Sequence, residues 1–95
     1  MIRGGNPTIT NLVLVDHTQE YSHAFDQNTK KFLVQARNFK DIIFSFNAGG
    51  TTNNYISLYS GSPYYEDYVI GPFIIYLKGS EDNITAEIIE WKAKD

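Results

Sequence analysis

The stretch KFLVQARNFKDIIFSF, residues 31–46, constrains the fold of this chain more than any other. In its first half Phe32, Val34 and Ala36 alternate with Leu33, Gln35 and Arg37. In its second half Ile42, Phe44 and Phe46 alternate with Ile43, Ser45 and Asn47. A period of two places each set on one face of a sheet, and Phe, Val and Ile suit a pleated, half-buried surface. A polar break at Asn38, Lys40 and Asp41 separates the runs. The reading is a hairpin at the centre of a β-sandwich, with Phe32, Val34, Phe44 and Phe46 in the core.

The rest of the chain repeats the pattern at shorter range. Residues 9–15 (ITNLVLV) make a first strand, and residues 20–25 a second in which Tyr21, His23 and Phe25 share a face. After the glycine-rich loop 47–54 comes a short strand, 55–59, with Ile56 and Leu58 inward. Residues 64–70 (YYEDYVI) read as an edge strand or an ordered loop. Residues 73–78 put Phe73, Ile75 and Leu77 on one side. The last strand, 84–91, sets Ile84, Ala86 and Ile88 against Thr85, Glu87, Ile89 and Trp91. Eight short strands with turn residues between them, and no helical spacing, predict an all-β, single small β-sandwich or jelly-roll-like domain of antiparallel strands. The domain spans 9–92, between a flexible N-terminal arm, 1–8, and a charged tail, 93–95.

Several function classes drop out on chemistry. The chain has no cysteine, which removes disulfides, thiolate catalysis and cysteine-bound zinc. It has no run of about 18 apolar residues for a membrane span and no apolar signal-peptide core. Its 8 basic residues lie singly or in pairs against 11 acidic ones, so no basic stripe follows a phosphate backbone.

Candidate reactive groups are sparse. His17 and His23, with Asp16 and Glu20 nearby, lack the spacing of a metal motif. Glu66 and Asp67 are adjacent and face apart on a strand, so they cannot act together as a glycosidase pair does. The Glu81-Asp82 turn lacks a calcium-loop pattern. No nucleophile elbow, P-loop or dinucleotide fingerprint is present. No enzyme activity, catalytic residue, metal or cofactor is expected.

Surplus apolar side chains point instead to contacts with other proteins. Leu33, Ile43, Ile74 and Ile89 lie on the faces opposite Val34, Phe44, Ile75 and Ile88, although a two-layer sandwich needs only one apolar face per sheet. Tyr55, Tyr59, Tyr64, Tyr65 and Tyr68 lie within fifteen residues, with Trp91 further on. Tyrosine and tryptophan favour protein interfaces and flat sugar platforms alike. These ten residues form the candidate protein interface, and Tyr55, Tyr64, Tyr65 and Tyr68 the alternative carbohydrate platform.

Read together, KKFxVQAR (30–37), IxFxFNxGG (42–50), YISLxxGxxYxED (55–67), an apolar strand (73–77) and AEIIEW (86–91) resemble a group of small virion-associated proteins of tailed bacteriophages and cyanophages. The resemblance runs over residues 10–91 in strand order and turn composition. It implies a non-enzymatic structural subunit, oligomeric and expected to be a trimer, that decorates or cements a capsid. A tail or baseplate component is the next expectation. Its partners would be itself and other virion proteins, with neither nucleic acid nor membrane. Its location would be the virion, after synthesis in the host cytoplasm. The arm and the loop 47–54 would meet the shell.

Overall fold

Alternation along each strand decides which side chains the fold buries. The computed structural model describes residues 7–69 and 72–92, and the strands are β1 (Thr8–Leu14), β2 (Tyr21–Ala24), β3 (Thr29–Ala36), β4 (Ile42–Ser45), β5 (Ile56–Leu58), β6 (Tyr64–Glu66), β7 (Ile74–Gly79) and β8 (Ile84–Lys92). In β3, Phe32, Val34 and Ala36 are buried while Lys31, Leu33 and Gln35 are half-buried; in β8, Ile84, Ala86 and Ile88 are buried between half-buried neighbours. With Leu14, Phe25, Ile42, Phe44, Leu58, Ile75 and Leu77 they form one continuous core.

The strands make two antiparallel sheets, β1-β8-β3-β6 and β2-β7-β4-β5. The pairing is that of one long hairpin: β1 on β8, β2 on β7, β3 on β6 and β4 on β5. Successive pairs fall in alternate sheets, and β3 with β8 and β4 with β7 complete each layer. This is the jelly-roll solution, a doubled chain wound into a two-layer sandwich. Its two inner faces interdigitate as the core.

The expected central hairpin does not form. β3 and β4 belong to different sheets, and β4 pairs with β5 and β7. The polar break between them is a corner: the tight turn Arg37–Phe39 holds Asn38 at φ 63° and Phe39 at φ 57°. Two consecutive left-handed residues turn the chain across the sandwich. Gly61 packs beneath that corner at φ +73°, where a Cβ would sit 3.1 Å from the Phe39 Cα. Only glycine fits that approach without strain.

Phe46 also departs from expectation. It is 50% exposed, because β4 ends at Ser45 and the inward alternation carries Phe46 past the last strand position to the rim. There its ring stands edge-on to Phe44 at 4.9 Å. Ile56, expected inward, is likewise exposed at the rim beside its partner Phe44. Residues 64–70 form an edge strand only over Tyr64–Glu66, and Ile70 lies outside the described residues. So do residues 1–6 of the expected arm and the tail 93–95.

Candidate functional site

Register determines what each outer face offers. On the β1-β8-β3-β6 sheet, Ile9 lies opposite Ile89, Ile89 opposite Leu33, and Leu33 opposite Tyr65. Directly opposed residues share a face, so four apolar side chains cross the whole sheet in one row. Ile9 is 64% exposed and Tyr65 48% exposed. Trp91 extends the patch: its ring stands edge-on to Tyr65 at 6.3 Å, and the Lys31 ammonium sits 5.0 Å from its centre. The next row is polar. Asn11, Glu87 and Gln35 line up. Arg37 donates from Nε to Glu87 at 2.7 Å and from Nη2 to Asn11 at 3.0 Å. The Arg37 and Gln35 bonds hold the Glu87 carboxyl below its ordinary value.

The outer face of the β2-β7-β4-β5 sheet is partly covered by the chain itself. The loop 47–54 lies across Ser45, whose hydroxyl donates to the Asn54 carbonyl at 2.8 Å and accepts from the Asn47 amide at 3.1 Å. Gly50 lies so close that a Cβ would meet the Ser45 hydroxyl. From the other end, the Glu20 carboxylate accepts the Gly49 amide at 2.9 Å and the Thr51 hydroxyl at 2.5 Å. The Thr51 hydroxyl is the main reason the Glu20 carboxyl titrates below its usual range. Beside the loop, a shallow groove of about 250 Å³ runs past Ile43, Tyr55, Ser57, Tyr59 and Lys78.

The ten residues expected at an interface are therefore divided. Leu33, Tyr65, Ile89 and Trp91 share the patch on the first sheet. Ile43, Tyr55, Tyr59 and Ile74 belong to the second sheet or flank its edge strand, with Tyr59 65% and Ile74 43% exposed. Tyr68 follows β6 and is 74% exposed. Tyr64 faces inward: its ring packs on Phe44 at 4.8 Å and Phe32 at 5.9 Å. Its hydroxyl donates to Glu66 at 2.6 Å, and that bond, with desolvation, pushes its pKa up to about 12. Tyr55, Tyr64, Tyr65 and Tyr68 thus do not share one platform. The strongest exposed apolar residues that sequence reasoning left out are Ile9 and Val13 on β1, Val15, and Phe39, 85% exposed at the corner. The alternation of ITNLVLV could have singled out Ile9 and Val13 as the outward partners of Asn11.

The polar clusters serve the scaffold. Asp16, His17 and Asp82 bring ligand-type atoms within 4.8 Å of one another. One oxygen of each carboxylate is used within the scaffold: Asp16 Oδ1 accepts the Thr18 amide and hydroxyl at 2.9 and 2.7 Å, and Asp82 Oδ1 accepts the His17 amide and lies 2.7 Å from Nδ1. These bonds lower both carboxyl pKa values and staple the β1–β2 loop to the β7–β8 turn. His23 makes a separate contact, 3.2 Å from the buried Glu90, which also accepts the Thr29 hydroxyl at 2.7 Å. Glu66 and Asp67 each bind a neighbouring tyrosine hydroxyl, on opposite faces. Among the described residues no helix is long and apolar enough to cross a membrane.

No protein-family model matches the chain, and no curated protein does. Among solved structures it is similar to a de novo designed double-stranded β-helix, determined by solution NMR. The two are 18% identical with a TM-score of 0.56, over 93% of this chain and all of the design. That likeness concerns the fold, and it agrees with the nested pairing of the eight strands.

Proposed function

We propose that this chain is a non-enzymatic assembly subunit, a capsid-decorating component of a tailed-phage particle. In this reading it self-associates through the outer face of the β1-β8-β3-β6 sheet. The observation that carries the reading is the uninterrupted row Ile9–Ile89–Leu33–Tyr65, with Trp91 beside it. An outward sheet face in contact with water ordinarily alternates to polar residues, and contiguous exposed apolar surface marks an interaction site. Tyrosine and tryptophan, present here as Tyr65 and Trp91, are among the residue types that most often carry binding energy. The neighbouring row, Asn11, Glu87, Gln35 and Arg37, supplies the polar rim that interfaces have. The resemblance to small virion proteins gives the reading its particular form. The polar clusters suit a scaffold role because their hydrogen bonds hold loops together.

Sedimentation velocity over about 1–100 µM tests the self-association, a range that spans micromolar and tighter affinities. The wild-type chain should run as an oligomer, and Ile89→Lys should shift it to monomer without loss of fold by circular dichroism. A wild-type monomer at every concentration would sink the reading and turn attention to glycan binding. The virion assignment is tested by mass spectrometry of purified particles, where the chain should be found in many copies per capsid.

A further inference from the structure

Sheet edges are where folded β-proteins guard against unwanted pairing, usually with short strands, charges, prolines or bulges. Three of the four edges here follow that rule. β5 and β6 are three residues long and β2 is four. β1 does not. It runs seven residues, TITNLVL, with no charged residue, no proline and unbroken register against β8 from Thr8↔Glu90 to Leu14↔Ile84. Among the described residues its other side pairs with nothing. Its outward side chains are Ile9, Asn11 and Val13, with Ile9 64% and Val13 46% exposed.

We propose that β1 pairs antiparallel with β1 of a second copy, about a two-fold axis normal to the sheet and passing through Asn11. The two β1-β8-β3-β6 sheets then become one eight-stranded sheet. This rests on the self-association proposed above and adds to its outer-face contact a second one, at the free edge of the same sheet, with a stated partner and symmetry. Of the registers centred on Thr10, Asn11 and Leu12, that one sets like against like on the outer face. Centred on Asn11, Ile9 faces the second copy's Val13 and Val13 faces its Ile9, both on the outer side. Thr10 faces Leu12, and no charged residue meets another. Centred on Thr10, Ile9 would face Asn11; centred on Leu12, Asn11 would face Val13 and Thr8 would face Asp16. Asn11 suits the axis for a further reason. Its Oδ1 accepts from Arg37 at 3.0 Å, which leaves the amide NH₂ to reach its twin. The contact is isologous, so it closes on itself and stops at two copies. It also carries the apolar row Tyr65–Leu33–Ile89–Ile9 onto the second copy's Val13.

The absence of native cysteine makes a single-cysteine test clean. Directly opposite residues have Cα atoms about 4.5–5.5 Å apart, within the range a disulfide needs. Under mild oxidation Asn11→Cys should give a dimer of twice the 10.8 kDa chain mass. Ile9→Cys alone should stay unlinked, because four residues of strand, roughly 13 Å, separate the two copies' positions. The double variant Ile9→Cys with Val13→Cys should link again. All three positions are exposed, and circular dichroism checks that the fold survives. An Asn11→Cys chain that does not cross-link, or an Ile9→Cys chain that links to itself, overturns the pairing. If Ile89→Lys still dissociates the oligomer in that case, the face reading stands without the edge. A trimer by sedimentation also overturns the two-fold and leaves the assembly role intact. A monomer removes both.

Discussion

Phe32 shows what a single residue contributes here. It is fully buried, with ring centres of Phe25, Phe73, Tyr64 and Phe44 at 4.7, 5.5, 5.9 and 6.4 Å. Removing that ring leaves a cavity lined by four others, so Phe32→Ala should lose about 3–5 kcal/mol in urea unfolding. Phe46→Ala, at the rim, should lose far less. The period of two made Phe32, Val34 and Phe44 legible as core, but the same count included Phe46, because periodicity says which way a side chain points and not where the strand stops. The carboxylates act in acid. Glu20 and Glu87 have folded pKa values below the ordinary 4.5, held there first by Thr51 and by Arg37 respectively. A depressed folded pKa stabilises the fold above the unfolded value, and that stability is lost as pH falls through the folded one. The Tm should therefore drop as pH falls below 4.5, and less steeply in Glu87→Gln. A Tm unchanged across that window would contradict the assignment.

At the scale of elements, the strands were legible and their partners were not. Existence of the eight, and facing in β3, β4, β7 and β8, followed from short alternating runs and turn residues, whereas Ile56 in β5 is exposed and Tyr64 in β6 faces inward, both against expectation. The pairing of β3 with β8 and β6, rather than with β4, depends on contacts between residues thirty or more positions apart, such as Val34 with Tyr64 and Gln35 with Glu87. Neighbours in sequence usually pair, and that prior produced the hairpin that the left-handed corner at Asn38 and Phe39 overrides. The outer-face apolar row was half legible for the same reason: alternation picked out Leu33 and Ile89, but only register joined them to Ile9 and Tyr65. The loop 47–54 illustrates an element held by one side chain from elsewhere. Glu20→Ala removes the acceptor for the Gly49 and Thr51 amides, so both should lose hydrogen-exchange protection while the β3 and β8 amides keep theirs. Equal loss throughout the protein would mean that the loop opens only with global unfolding.

For the molecule as a whole, the nested pairing sets the order in which stability accumulates. The outermost pair, β1 with β8, joins the two ends of the domain, and β8 also carries β3. Closing such distant pairs costs chain entropy before any contact offsets it, so refolding should take milliseconds to seconds rather than microseconds. Stopped-flow fluorescence of Trp91 measures it, and submillisecond recovery would argue for a more local nucleus. The same β1–β8 ladder has a mechanical consequence. Thr8 stands opposite Glu90, so the chain enters and leaves the fold at one pole. Tension applied between those two points opens the ladder from its end, one pair of hydrogen bonds at a time, like a zip. A load spread across the sheet instead strains many bonds in parallel. A domain built this way resists pull through its faces far better than through the ends of β1 and β8, and force spectroscopy in the two directions would read the difference.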